Sequence, residues 1–199
     1  MTLTEQQQLK AGEILKYLKL LVFSGRLHQE GERAAMIIGV SKVDNLLCDL
    51  IKLQLIAPKT KQDNLFDPDR PLGSFSSRIT LASRMGLIDK NVESCLQVIR
   101  RIRNDFAHKD DFISYKDDPH NSRLVELVRL TKLSPLRATI LEQLRFDNES
   151  EGIETSDELM QFSTSIAVML TTIQMAIDEN LKSSPEHKSL VFICSFENE

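Results

Sequence analysis

Between positions 92 and 106, Val92, Cys95, Leu96, Ile99, Ile102 and Phe106 recur mostly at spacings of three and four. An α-helix turns once every ~3.6 residues, so these side chains fall on one stripe. A strand would send alternate members to opposite faces. The pattern therefore demands a helix with one buried flank, begun by Asp89 or Asn91 and closing at His108.

The rest of the chain reads as further helices separated by turn chemistry. A first helix is predicted from about Thr4 to Phe23, ended by Ser24-Gly25 because glycine accepts the left-handed conformation after a helix. A second is predicted from about Glu30 to Ile56, with Gly39 leaving room for a neighbouring helix and Pro58 lying past its end. Residues 58–73 read as a loop, with Leu65 and Phe66 tucked against the core. Ser74 is the predicted N-cap of a third helix reaching Met85, and Gly86 is its stop. Residues 109–120 read as a loop. Shorter helices follow over Leu124–Lys132 and from Leu136, after Pro135, to about Arg145. Residues 147–154 read as an acidic surface loop. Thr155-Ser156-Asp157-Glu158 resembles a helix start, and the last helix is expected to reach about Leu181. Leu159, Phe162, Ile166, Met169, Leu170, Ile173 and Ile177 line its core side. The apolar tail from Leu190 to Phe196 is β-like by residue type, and without a partner strand it should pack on the body or join a second subunit.

Composition narrows the function classes. A net charge of −4 and a pI near 5.7 exclude a chain that is basic overall, so nucleic-acid binding would need a local patch. Arg100, Arg101, Arg103 and Lys109 are the candidate patch. No GxxxxGK[ST] loop is present, which argues against a nucleoside triphosphatase. Cys48, Cys95 and Cys194 lack CxxC spacing and suggest neither a zinc site nor a disulfide framework. His28 and His120 fall in predicted loops and His187 in the tail, with no paired-ligand spacing, so no metal is expected. No apolar run approaches the ~20 residues of a membrane span and the N-terminus is polar, so the expected location is cytoplasmic, off the membrane.

Two constellations carry chemistry. The first is Arg103-Asn104-Asp105-Phe106-Ala107-His108. Arg100, Asn104 and His108 are four residues apart and share a flank. Arg103 stands about 140° from His108 on an ideal helix. A phosphate could sit between Arg100, Asn104 and His108, or a second subunit could bring its own pair across a twofold axis. In the functional reading, an imidazole assists attack by a ribose 2′-hydroxyl and an arginine stabilises charge on the phosphorus oxygens, without a metal. In the structural reading, His108 faces the negative end of the helix dipole, Asn104 bonds a neighbouring loop and Arg103 pairs with an acid.

The second constellation runs from Asp69 to Ile79. Pro71 fixes φ, Gly73 frees the turn and Ser74 caps the next helix. The helix N-terminus could hold an anion or could simply orient two helices. Arg78 is expected to form a buried ion pair, with Glu32 or Glu93 as partner. Ser76 and Ser77 have no nucleophile-elbow context.

These constellations occur in one order: Arg70 to Ile79, then Met85-Gly86-Leu87-Ile88, then Ile99 to His108, with Glu32-Arg33-Ala34-Ala35 upstream. The arrangement resembles the mannitol operon repressor family over roughly residues 28–132. Arg70 departs from the glycine usual before the proline, and residues from Ser134 onward find no counterpart. The resemblance implies an all-helical fold and transcriptional repression exerted with a partner. No recognition helix after a tight turn contradicts that expectation. Arg103, Asn104 and His108 also fit, residue by residue, the Arg-polar-x-x-x-His motif of HEPN (higher eukaryotes and prokaryotes nucleotide-binding) helical dimers. In that fold the motif serves either metal-independent RNA cleavage or binding alone.

The sequence thus leads to an all-α, single-domain antiparallel bundle of about six to seven helices over 1–199, with the family-like core near 28–132 and C-terminal helices and tail over 134–199. The expected function is transcriptional regulation through protein contacts. The expected partners are a protein such as a transcription factor and a second copy of the chain; no cofactor and no direct sequence-specific DNA reading are expected. The alternative is a metal-independent endoribonuclease, a toxin or defence component acting on RNA through Arg103, Asn104 and His108. Arg100, Arg78, Gly73 and Ser74 are the candidate binding residues.

Overall fold

The computed structural model describes residues 5–27, 30–56, 58, 64–108 and 114–182. Their architecture is an all-α bundle. Among the described residues there are seven α-helices: α1 Glu5–Leu27, α2 Glu32–Lys52, α3 Phe75–Arg84, α4 Lys90–His108, α5 His120–Thr131, α6 Leu136–Glu151 and α7 Asp157–Lys182. A single 3-10 turn, Asn64–Phe66, interrupts the loop before α3.

Helix α7 is the centre, packed against α1, α2, α5 and α6, while α4 lies on α2 and α5, and α3 on α2 and α4. The seven apolar positions expected to face the core are all buried, but so are Ser163, Thr164 and Ser165. Helix α7 is therefore surrounded, not amphipathic. Two of these hydroxyls settle their polarity within the helix: Thr164 Oγ1 donates to the Met160 carbonyl and Ser165 Oγ to that of Gln161, both at 2.8 Å. The stretch Asp157–Leu181 is long and apolar enough to cross a membrane, but 78% of its apolar window is buried within the bundle. Each fully buried Leu, Ile or Phe contributes about 2 kcal/mol, so this helix supplies much of the core.

Close approach of α1 and α7 explains Gly39. A Cβ at that position would lie 3.2 Å from Leu27 Cδ1 on α1, tighter than ordinary packing, and 3.4 Å from Ile166 Cγ1 on α7. Capping follows the sequence closely. The Ser77 amide donates to Ser74 Oγ at 3.0 Å and the Val92 amide to Asp89 Oδ1 at 2.7 Å. Gly86, at φ +70°, follows the end of α3. Leu65 and Phe66 pack on the core as expected, with Lys52 Nζ 5.0 Å from the Phe66 ring centroid.

Four boundaries differ from expectation. Helix α1 runs through Ser24-Gly25 to Leu27, because Ser24 Oγ bonds back to the Leu20 carbonyl and Leu27 is seated in the core. Helix α2 stops at Lys52, short of Ile56, in a tight turn where the Gln54 and Leu55 amides donate to Ile51 and Lys52. Helix α5 begins at His120, four residues early, since that ring is buried edge-on to Phe106. Helix α6 continues through the expected acidic loop to Glu151. Leu144 and Asn148 are buried one turn apart, and Gly152, at φ +66°, ends the helix. The tail with Cys194 and His187, as well as His28, Lys109 and Phe112, lies outside the described residues.

Candidate functional site

The end of α4 divides the hexapeptide between core and surface. Phe106 is fully buried, its centroid 5.0 Å from that of Tyr115, which in turn stacks on Phe162 at 5.0 Å. Asp105 turns toward α5: its Oδ2 lies 3.2 Å from His120 Nδ1 and also meets Arg123 Nη1. The loop before α5 is held by Glu32, which accepts from the Tyr115 amide at 2.8 Å and from Ser114 Oγ at 3.3 Å. Burial, aided by the Glu32 charge, pushes the Tyr115 phenol well above its ordinary range.

Arg103 points the other way. It is exposed and makes no hydrogen bond or ion pair with the described residues, while Asn104 beside it is half-buried. Arg100 Nε donates to Gln97 Oε1 at 3.0 Å, and Arg101 lies 3.8 Å from Glu126 on α5. An exposed guanidinium of this kind can take a phosphate or a carboxylate through two parallel hydrogen bonds. Any proton transfer would fall to His108, which closes α4 and whose side chain lies outside the described residues. His120 cannot replace it, being only 2% exposed behind Phe106.

The second constellation is built as a brace. Arg78 donates from Nε to Asp44 Oδ1 at 2.7 Å, from Nη2 to Oδ2 at 2.5 Å, and from Nη1 to the Leu72 carbonyl at 2.7 Å. Its partner is Asp44, not Glu32 or Glu93. Glu32 serves the α5 loop and Glu93 accepts from Ser83 Oγ at 2.7 Å. With three donors committed and the residue 8% exposed, Arg78 has little left for a ligand. A Cβ on Gly73 would overlap the carbonyl oxygens of Asp67 and Pro68, so this glycine serves chain packing. Ser74, Ser77 and Arg84 line an open hollow of about 540 Å³. No hydrogen bond or ion pair among the described residues joins Arg78, Gly73 or Ser74 to Arg100, Arg103 or Asn104.

Two groups, one buried and one half-buried, escaped the sequence reading. Arg137 donates from Nη1 to Thr131 Oγ1 at 2.8 Å and to Ser165 Oγ at 3.0 Å, and from Nη2 to Gln161 Oε1. Burial pulls this guanidinium below its ordinary pKa, with Cys95 nearby acting in the opposite sense. The Asp105–His120–Arg123 cluster was missed because its members are separated by a loop, and only Pro119 hinted that a helix begins at His120. No grouping of three metal-ligating side chains occurs among the described residues. Comparison with protein-family models, with curated proteins and with solved structures finds no match.

Proposed function

We propose that this chain is a cytoplasmic helical regulator that acts in transcriptional control through protein contacts, as the resemblance to the mannitol operon repressor family suggests, and that it works as a homodimer. The observation that carries the reading is the mixed surface where α4 meets α5. Val125 is 60% exposed, next in sequence to Glu126, and Glu126 faces Arg101. A surface ion pair together with an exposed apolar residue on the same helix suits a protein partner better than a phosphate backbone, which favours unrelieved positive charge. The overall charge of −4 points the same way.

The test is transcript profiling of a deletion strain complemented with wild type or with an Arg101→Glu/Val125→Asp variant, beside promoter-binding assays on the purified protein. The expected result is a discrete set of derepressed transcripts, restored by wild type and not by the variant, with no promoter shift by the protein alone. An unchanged transcriptome, or a sequence-specific shift by the protein alone, contradicts the reading.

Arg103, exposed and without a partner among the described residues, favours a second reading, a metal-independent endoribonuclease using Arg103, Asn104 and His108. Labelled RNA incubated in excess EDTA with wild type, Arg103→Ala and His108→Ala decides it. Cleavage lost in both variants supports the nuclease, and intact RNA throughout removes it.

A further inference from the structure

Helices α1 and α6 pack together, and beside their C-terminal ends lies a partly open cavity of about 480 Å³ lined by Val22, Arg26, Glu30, Asp147, Asn148 and Glu151, among others. We propose that this cavity binds a small organic cation, an alkylammonium or guanidinium compound. The inference is independent of the regulatory reading, since α4 takes no part in the cavity.

The volume falls within the range of small-ligand sites. Asn148 is 6% exposed and lines the cavity, and its side-chain amide makes no hydrogen bond with the described residues. Buried amides are nearly always bonded to protein or to water, and here the amide is reached through the open side of the cavity. A ligand N–H reaching the Asn148 carbonyl oxygen would satisfy it.

Charge selects the sign of that ligand. Glu30, Asp147 and Glu151 contribute three carboxylates against the single guanidinium of Arg26, and none of the four forms an ion pair with another. Among the described residues, Asp147 Oδ1 accepts only from the Gln143 side-chain amide, at 2.8 Å. The backbone adds to this field. Helix C-termini carry partial negative charge and favour basic residues. Here two such ends meet: α1 carries the basic Arg26 in its last turn, whereas α6 has no basic residue there and carries Glu149 and Glu151. Placing acids there opposes helix stability, and departures of this kind are expected at functional or strained sites. A cation in the cavity would relieve all of these terms together. Valine and the neighbouring Ile153 offer contact to an alkyl stem, which favours an organic cation over a hydrated metal ion. Arg26 stands at the same cavity and could take a ligand carboxylate, so the free amine and the amino acid are distinguishable ligands of one chemistry.

Isothermal titration of the full chain with agmatine, putrescine, L-arginine and L-lysine at matched ionic strength tests the proposal. At least one should bind saturably at a single site. Glu151→Gln and Asn148→Leu should each weaken it roughly tenfold or more. Arg26→Ala should weaken only the two amino acids. Both Glu151 and Arg26 are exposed, so those variants keep the fold, and circular dichroism with urea unfolding checks Asn148→Leu. Absence of saturable binding by all four compounds overturns the proposal. So does affinity unchanged in a folded Glu151→Gln/Asn148→Leu double variant.

Discussion

Asp105 and His120 join the end of α4 to the first residue of α5, carboxylate Oδ2 to imidazole Nδ1, at 3.2 Å. With Arg123 on the same carboxylate, the acid in the middle of the hexapeptide is a fastening between helices. Its neighbour Arg103 is left to the surface. Asp105→Ala should therefore cost about 2 kcal/mol of unfolding free energy, the scale of a partly buried, charge-assisted contact. Arg103→Ala should change stability by less than about 0.5 kcal/mol, as surface substitutions do. Urea unfolding of both variants measures the difference. Equal losses would mean that Arg103 is structural too.

Arg78 and Asp44 make the other polar brace, and its geometry predicts an asymmetry between two basic residues. The planar guanidinium satisfies both carboxylate oxygens and the Leu72 carbonyl at once. Lysine keeps the charge but cannot present that fork. Arg78→Lys should cost about 2 kcal/mol, nearly as much as Arg78→Met. A lysine variant with wild-type stability in thermal and urea unfolding would show that charge alone suffices.

Helix positions and caps were readable because they depend on neighbours in sequence. The stripe from Val92 to Phe106, the Ser74 cap and the Gly86 stop stand where periodicity and turn chemistry put them. Errors arose where distant packing outweighed local preference. Ser24-Gly25 carries a strong stop signal, yet burial of Leu27 draws α1 onward. Residues 147–151 look like solvated loop, yet Leu144 and Asn148 anchor another turn of α6. The cavity at that end was invisible for the same reason. Of the candidate site, the outward Arg103 and the shared flank of Arg100 and Asn104 could be read from spacing. The inward role of Asp105 could not, because His120 and Arg123 reach it only through the fold.

Tyr115 offers a prediction of opposite sign. Its hydroxyl is buried and has no hydrogen-bond partner among the described residues, while its ring lies between Phe106 and Phe162. An unsatisfied buried hydroxyl is a cost, and phenylalanine keeps the ring without it. Tyr115→Phe should raise stability by about 1 kcal/mol. Thermal unfolding checks this, and a lower midpoint would show that the hydroxyl contributes favourably in solution.

Alkaline pH should weaken the fold through Cys95. This fully buried thiol is pushed from 9.0 up to about 12, first by burial and then by the nearby Asp89 charge. Above pH 9 the unfolded chain releases this proton while the folded chain keeps it, so the native state binds more protons and stability falls as pH rises. The contribution is fully present below pH 9 and is lost progressively as pH climbs toward 12, by up to about 4 kcal/mol in all. Tyr115, raised in the same direction, adds to the decline above pH 10. Cys95→Ala removes the thiol, and its lost packing is a pH-independent offset. Urea unfolding at pH 8 and at pH 10.5 should show a smaller drop for the variant than for wild type, by about 2 kcal/mol. Parallel drops would mean that the thiol ionises equally easily in both states.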